Sequence, residues 1–301
     1  MPDPLVSIVV CTYNGEAFLR EQLESLLSQT YKNLEILIVD DRSTDLSKTI
    51  AQEFASMDNR VRFVVNPMKL GYNKNFEQSF YLAQGEFIAV SDQDDVWVAE
   101  KIEKMMKLFR EDEILLAHCQ SVRFRKGLPE IKTSSKRRHF EGNDVRQLMF
   151  FNTISGHNIM FRKKLLKMNG PFPPGVYYDW WLAIIAAAYG KIIGTTEVLT
   201  FHRYHDSNLT LGKKDEGKQT RAKADERIQT IGSILQLKEL TPGQKEFANQ
   251  IYAALLTLKN RTFSLRLFRF LSRNAGIIFF FKKKSMFSKL KMAYRMSFAV
   301  S

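Results

Sequence analysis

The sequence predicts an α/β fold with a mostly parallel central sheet that is flanked by helices, and two observations support this prediction. Apolar runs of strand length alternate with helical patterns through the first hundred residues, which is typical of parallel sheets with crossover helices. The strands predicted in this region also end in polar residues, and parallel α/β sheets bind ligands at the carboxyl ends of their strands. With 301 residues, 45% of them hydrophobic, the chain is long enough for one such domain and an appendage.

The elements follow from these runs in chain order. Strands are predicted at 5–12, 34–39, 61–65, 87–90 and 114–124. Helices are predicted at 16–28, 43–55, 73–83 and 98–109. A polar loop over 125–139, which we expect to be mobile, precedes a mixed segment over 151–200 that completes the sheet and contains an apolar helix over 179–189. A charged helical pattern over 219–240 and the N-cap pair Thr241-Pro242 then predict a C-terminal helical appendage.

The net charge of +13 is concentrated near the C-terminus. Residues 260–301 contain ten Lys or Arg, eight Phe and no Asp or Glu, which leaves 35 basic against 32 acidic residues in the rest of the chain. Interleaved cationic and aromatic residues of this kind fit an anionic membrane or a nucleic acid. The run 275–281, followed by three lysines, favours a membrane surface, whereas a solvated helix that packs on the main domain is the alternative.

The expected compartment is the cytoplasm. Cys11 and Cys119 lie far apart inside apolar runs, so they read as core cysteines of a protein in a reducing compartment. The N-terminus lacks the basic region of a signal peptide, and no run approaches the roughly 20 apolar residues that cross a bilayer.

The strongest chemical signal is the acidic motif Asp92-Gln93-Asp94-Asp95 at the end of an apolar strand. Carboxylates at i and i+2 there can hold Mg²⁺ or Mn²⁺ against phosphate oxygens, because both ions favour hard oxygen ligands. An acidic N-cap for the next helix is the alternative. A second acidic cluster, 40–45, ends another strand, and two such clusters together favour a ligand site.

Four motifs in order along the chain resemble glycosyltransferase family 2, whose members share the GT-A fold. They lie at 6–14, 38–45, 66–75 and 91–95, and their order and spacing argue against a chance match. The amino-acid sequence of 91–97 also resembles the subset of the family that includes rhamnosyl and related transferases of bacterial surface polysaccharides.

The resemblance implies a GT-A domain over 1–211, with a nucleotide-binding half over 1–110 and an acceptor half over 111–211. A helical basic and aromatic region over 212–301 would follow. The implied activity is inverting transfer of a sugar from a dTDP- or UDP-sugar to a glycan or lipid-linked acceptor, in the synthesis of O-antigen or capsule. Mn²⁺ or Mg²⁺ is the implied cofactor.

The resemblance also implies roles for individual residues on the donor side. Asp94 corresponds to the direct metal ligand of the family's DXD element, and Asp92 to a ribose or metal contact. Lys74 stands where the family often has an arginine near the donor phosphates, and a lysine there keeps the charge but loses the bidentate fork. The implied donor-binding residues are Thr12, Tyr13, Asn14, Asp40, Asp41, Asn66, Lys74, Asp92 and Arg203.

The family places its catalytic base at the start of a helix in the second half of the sheet, where this chain has Asp179. Tyr178 replaces the first acid of the family's usual pair, so the base assignment depends on Asp179 alone. An N-cap is the alternative role for this aspartate. Trp180 and Trp181 are predicted to line the acceptor site, with core packing as the alternative.

The segment 201–205 resembles the family's Tyr-Arg-x-His element and implies that His205 binds the metal or diphosphate, near Arg203. A neutral imidazole suits Mn²⁺ better than Mg²⁺. His157 is predicted on the acceptor side, with a structural role as the alternative.

Three other functions compete with glycosyl transfer. A sugar nucleotidyltransferase would need a Gly-rich phosphate loop, but 12–15 has one glycine. A nucleic-acid-binding protein fits the basic tail, yet the acidic clusters would repel phosphates. A sugar-nucleotide binder without turnover fits the replacement at Tyr178.

We expect a nucleotide-sugar donor and a glycan or lipid-linked acceptor as partners. We also expect residues 260–301 to contact an anionic membrane at the inner face of the cell membrane. We expect no nucleic acid as a partner, and a homodimer is compatible with the sequence.

Overall fold

The computed structural model describes residues 3–130, 139–168, 170–205, 221–258, 261–282 and 285–299. The elements of the N-terminal half are β1 Val6–Thr12, α1 Leu19–Leu27, β2 Leu34–Asp40, α2 Ser47–Met57, β3 Val61–Val65, α3 Tyr72–Leu82, β4 Phe87–Ser91, β5 Val96–Trp97, α4 Lys101–Met106 and β6 Ile114–Phe124. Those that follow are β7 Ile159–Arg162, α5 Tyr178–Tyr189, β8 Lys191–Arg203, α6 Arg221–Ile234, α7 Pro242–Leu256, α8 Leu265–Arg273, α9 Ala275–Ile278 and α10 Met286–Met296.

One sheet contains all of these strands, in the order β3-β2-β1-β4-β7-β6-β8-β5. The strands β1 to β4 pair in parallel, and so do β6 and β8, whereas β7 runs antiparallel between β4 and β6, and β5 pairs antiparallel with β8. The predicted α/β class with a mostly parallel sheet is confirmed. The carboxyl ends of β1, β2 and β4 meet at one edge of the sheet, which brings their polar residues together.

Helices cover both faces of the sheet, so its central strands are buried on both sides. Ile8 on β1 packs in the same core as Leu23 of α1, whereas its neighbour Val9 packs in a second core with Phe76 of α3. This alternation is the period-2 pattern of a strand between two helical layers.

Several predicted bounds shift in the structure. The helix predicted at 98–109 is the shorter α4, Lys101–Met106, and it follows the short strand β5, Val96–Trp97. The predicted N-cap at Thr241 is confirmed as a capping box with Gln244 at the start of α7. Residues 131–138 of the predicted loop and the predicted boundary at 211 lie outside the described residues.

The C-terminal helices share one core with the second half of the sheet. Ile278 and Phe279 are fully buried, and the ring centroid of Phe281 lies 5.5 Å from that of Phe151. The predicted membrane contact of the run 275–281 is therefore not supported at Ala275, Ile278 and Phe279, which pack against the protein. The helix α9 is a single turn that ends at Ile278. Among the described residues, no helix has the length and apolarity to cross a bilayer.

Candidate active site

Gln93 joins the loop after β1 to the acidic motif after β4. Its Oε1 accepts hydrogen bonds from the hydroxyl of Thr12 at 2.8 Å and from the backbone N–H of Tyr13 at 2.9 Å. A Cβ at Gly15 would lie 2.3 Å from the same oxygen, so a larger residue at this position would displace the Gln93 side chain. The Tyr13 ring is partly exposed, and the Nζ of Lys69 lies 3.6 Å from its centroid. The loop therefore presents an aromatic surface with a cation beside it.

Asn14 and Asp40 shape the neighbouring loop after β2. Asn14 has φ +49°, and its Oδ1 accepts from the N–H of Thr44 at 2.9 Å. Asp40 is buried, and its Oδ1 accepts from the N–H of Ser43 at 2.9 Å. Its Oδ2 is also buried and has no hydrogen-bond partner in the described part of the chain. A buried carboxylate oxygen without a partner is costly, so the Oδ2 of Asp40 is available to accept a hydrogen bond from a ligand.

Asp41 uses both of its oxygens within the protein. They accept from the Nδ2 of Asn66 at 2.9 Å, the N–H of Leu70 at 2.7 Å and the N–H of Gly71 at 2.8 Å. Asp41 and Asn66 are both buried. They thus hold the loop that leads into α3, on which Lys74 is exposed.

Asp94 faces a cluster of like charges. Its Oδ2 lies 2.7 Å from the Nε2 of His205, so the predicted pair of metal ligands is in contact. Burial, with the neighbouring charges of Asp92 and Asp95, raises the pKa of Asp94 to about 6, although the bond with His205 opposes this shift. A positive charge here would favour the ionised carboxylate.

A second group of ligand atoms lies beside this pair. Atoms of Asp92, Asp95, His157 and His202 all lie within 4.8 Å of one another. Asp95 is fully buried, and its Oδ1 accepts from the Nδ1 of His202 at 3.0 Å and from the N–H of Arg203 at 3.1 Å, whereas its Oδ2 has no partner among the described residues. Burial acts to raise the pKa of Asp95, but attraction to His157 and the bond with His202 hold it below its usual value.

The imidazole rings of this cluster are ordered by packing. His157 stacks on His202 with 4.4 Å between centroids and 5° between planes, and its Nδ1 lies 3.6 Å from the Oδ2 of Asp92. Carboxylate oxygens and imidazole nitrogens together form a donor set that fits a divalent cation, and the nitrogens favour Mn²⁺ over Mg²⁺.

Asp179 lies in the first turn of α5. Burial is the main reason that the pKa of its carboxyl group is raised to about 6. The backbone N–H of Trp180 donates to its Oδ1 at 2.7 Å and lowers this pKa, whereas repulsion from Asp92 raises it. A carboxylate with a pKa near neutrality, electrostatically coupled to the acidic motif, has the properties of a general base.

Asn73 of α3 fixes the start of α5. Its Oδ1 accepts from the N–H of Tyr178 at 3.0 Å, and its Nδ2 donates to the carbonyl of Val176 at 2.6 Å. The Tyr178 hydroxyl lies 3.4 Å from that of Tyr72, and a Cβ at Gly156 would lie 2.1 Å from it. The phenol that replaces the family's acid is therefore held in a pocket that requires glycine at 156.

The predicted acceptor role of Trp180 and Trp181 is wrong. The two residues are 4% and 1% exposed, and the Nε1 of Trp180 donates to the carbonyl of Leu148 at 2.7 Å. Because α5 is covered by the core on nearly every side, neither ring offers a face to a sugar. His157 lies beside Asp92, so its predicted role at the acceptor stays a prediction.

Arg203 lies beneath the acidic motif. Its Nε donates to the carbonyl of Asp94 at 2.9 Å, its Nη2 to Glu21 at 2.5 Å, and its guanidinium carbon lies 4.4 Å from the ring centroid of Phe124. These contacts hold the acidic motif against Glu21 and Phe124. A cavity of about 460 Å³ opens next to it, with His205 and Lys126 in its lining.

Two residues of the site were missed by the sequence reasoning. No role was predicted for Gln93 within the acidic motif. Lys101 is fully buried, donates to the carbonyl of His157 at 2.8 Å and to the Thr200 hydroxyl at 2.9 Å, and has its pKa lowered to about 8 by burial. A lysine in a charged helix carries no signal for such a position.

Comparisons with known proteins agree with this geometry. The family described as Glycosyl transferase family 2 matches residues 7–169. Over 114 residues the chain is 35% identical to the UDP-Glc:alpha-D-GlcNAc-diphosphoundecaprenol beta-1,3-glucosyltransferase WfgD of Escherichia coli, a match that covers 38% of this chain and 44% of that protein.

Two solved structures share the fold. Residues 1–349 of S. aureus TarS, in complex with UDP-GlcNAc, superpose with a TM-score of 0.65 at 18% identity, covering 96% of this chain and 89% of that one. The mannosyltransferase PcManGT of Pyrobaculum calidifontis, in complex with GDP-Man and Mn²⁺, gives a TM-score of 0.58 at 19% identity, covering 96% and 86%. Because the family match spans more than half of the chain, and the sheet has the GT-A form, the chain belongs to glycosyl transferase family 2.

Proposed function

We propose that the chain is an inverting glycosyltransferase that moves a sugar from a UDP- or dTDP-sugar to a glycan or lipid-linked acceptor, with Asp179 as the base. The proposed setting is the synthesis of a surface polysaccharide such as O-antigen or capsule. The observation that carries the proposal is the carboxyl group of Asp179, whose pKa is raised to about 6 at the start of a fixed helix, electrostatically coupled to Asp92.

The chemistry is one displacement. The acceptor hydroxyl oxygen forms a bond to the anomeric carbon while Asp179 takes the hydroxyl proton. The bond from the anomeric carbon to the diphosphate oxygen breaks, and the nucleoside diphosphate leaves with the electron pair. A carboxyl group with a pKa near 6 is ionised at pH 7 yet basic enough to accept this proton. A single displacement inverts the configuration at the anomeric carbon.

The proposed donor site is the edge formed by the loops after β1, β2 and β3. The buried Oδ2 of Asp40 would accept from an N–H of the base or a ribose hydroxyl, and the exposed Tyr13 ring would pack on the nucleoside. The other residues proposed to contact the sugar-nucleotide donor are Thr12, Asn14, Lys74 and Asp92. Asp41, Asn66 and Arg203, which the resemblance also named, would instead hold the surrounding loops and the acidic motif in place. UDP-sugars are named for WfgD and bound in the TarS structure, and the resemblance to rhamnosyltransferases adds dTDP-rhamnose to the donors worth testing.

Asp94, Asp92 and His205 would hold Mn²⁺ or Mg²⁺. Such an ion, when bound, offsets negative charge on the departing diphosphate. The raised pKa of Asp94 and the unpartnered oxygen of Asp95 support a cation at this place, and Mn²⁺ is bound in the PcManGT structure.

The proposed acceptor lies on the side of His157, and a lipid-linked acceptor would place the enzyme at the inner face of the cell membrane. WfgD carries a diphosphoundecaprenol acceptor in its name. The unpaired cysteines Cys11 and Cys119 suit a reducing cytoplasm. A homodimer is compatible with this arrangement.

The test compares Asp179→Asn with wild type in two assays. Asparagine keeps the shape and an acceptor for the Trp180 N–H but cannot take a proton, so nucleoside diphosphate binding with Mn²⁺ should persist while transfer falls by about 10²–10⁴-fold. The matched control is Asp58→Asn, which removes a surface ion pair with Arg60 and should leave transfer unchanged. Full transfer by Asp179→Asn would refute the base assignment.

A further inference from the structure

Four large apolar side chains on α10 are exposed. Met286 is 57% exposed, Phe287 79%, Leu290 37% and Tyr294 51%. Residues 286, 290 and 294 are spaced four apart, so they form one stripe along the helix, and Phe287 lies next to it. Contiguous exposed apolar residues of this kind mark an interaction surface.

The opposite side of α10 anchors it to the protein. Ala293 and Met296 on that side are buried in the main core. At the C-terminal end of the stripe itself, the partly exposed Tyr294 ring also packs edge-on against Phe268 of α8, with 5.9 Å between centroids. Ser285 caps the helix by accepting from the N–H of Ser288. The stripe therefore belongs to a fixed helix and cannot be covered by rotation of α10 alone.

Cationic residues flank the stripe. Lys291 and Arg295 are exposed on α10, as are Arg266 and Arg269 on the adjoining α8. Residues 260–301 contain no acidic residue, so this part of the chain is strongly cationic. An apolar stripe beside Lys and Arg is the pattern of a helix that lies in the interface of an anionic bilayer. A nucleic acid would satisfy the cations but leave Met286 and Leu290 in water.

We propose that α10 docks on an anionic lipid bilayer, with Met286, Phe287, Leu290 and Tyr294 inserted among the headgroups and Lys291 and Arg295 on lipid phosphates. The proposal rests on the proposed function for its choice of a bilayer over other anionic partners, since a lipid-linked acceptor resides there. It assigns the contact to α10 and not to the run 275–281, whose residues Ala275, Ile278 and Phe279 are buried.

The test is sedimentation of the full chain with vesicles of phosphatidylcholine alone or with about 30% phosphatidylglycerol. The proposal expects binding to the anionic vesicles, weaker binding at high salt, and at least a tenfold loss of affinity in Phe287→Ser/Leu290→Ser. The matched control is Leu46→Ser/Met57→Ser, which removes two side chains of similar exposure around α2 and should bind as wild type. Thermal melting checks that both variants fold.

Other results would overturn the proposal. No binding of the wild type to anionic vesicles, or equal binding by Phe287→Ser/Leu290→Ser, would contradict it. A dimer in solution that this variant converts to a monomer would make the stripe a contact between copies of the chain. Transfer to a water-soluble acceptor is measured in parallel and should be unchanged in the variant. Loss of vesicle binding with normal transfer therefore separates this inference from the proposed function.

Discussion

The rate of sugar transfer should fall as the pH is lowered, with a midpoint near pH 6, because protonation of Asp179 removes the base. The groups that face this carboxyl group are Asp92, which raises its pKa, and His157 and the Trp180 N–H, which lower it. The phenols of Tyr72 and Tyr178 stay neutral, since burial raises their pKa well above the usual value.

The size of the effect follows from the pKa of about 6. The ionised fraction of Asp179 is then about ten in eleven at pH 7 and about one in eleven at pH 5, so kcat/KM should fall about tenfold between them. An aspartate with an unperturbed pKa would remain more than about 90% ionised at pH 5 and would cause almost no change.

The assay is kcat/KM for the acceptor from pH 5 to 8 at saturating Mn²⁺ and donor. Asp94 also has a pKa of about 6, so donor affinity is measured over the same range to separate binding from proton transfer. A flat profile between pH 5 and 7, or a fall explained wholly by lost donor binding, would refute the assignment of the base.

Three further predictions concern α5. Because the folded-state pKa of Asp179 is raised, the contribution of this residue to stability decreases as the pH rises from about 4 to 6. In urea titrations, Asp179→Asn should therefore raise the free energy of unfolding by up to about 3 kcal/mol at pH 7, and should not raise it at pH 3.5. Asn73→Ala removes the bonds to Tyr178 and Val176 and should cost about 1–3 kcal/mol, with kcat lowered more than donor affinity; equal losses would show a general folding defect. Gly156→Ala places a Cβ against the Tyr178 hydroxyl and should destabilise by about 1–3 kcal/mol, and adding Tyr178→Phe should recover part of this in the same titrations; strictly additive effects would contradict the contact.

Much of the sheet was predictable because its signal is local. β6 has the bounds predicted from its apolar run, and β2 is seven consecutive buried residues, which is the pattern of a strand covered on both faces. The antiparallel direction of β7 and the short strand β5 were not predicted. The direction of pairing depends on residues that are distant in sequence: Phe161 of β7 pairs with Leu116 of β6, and Phe201 of β8 pairs with Val96 of β5.

The site was predictable where a motif carries it. Asp94 and His205 are far apart in sequence yet in contact, and family resemblance named both. The burial of Trp181 also had a signal, since α5 is apolar on all sides and such helices are buried. The contact of Phe281 with Phe151 had no such signal, because Phe151 lies in a distant segment without regular secondary structure.

The most direct test of the central claim is thermal unfolding of the wild-type chain with UDP, dTDP, GDP or CMP, each with and without Mn²⁺. A ligand that binds the folded state raises the midpoint. We expect UDP or dTDP to raise the Tm only when Mn²⁺ is present, and Asp94→Ala to abolish that shift. No shift with any nucleotide, or equal shifts without Mn²⁺, would contradict a metal-dependent nucleotide-sugar site.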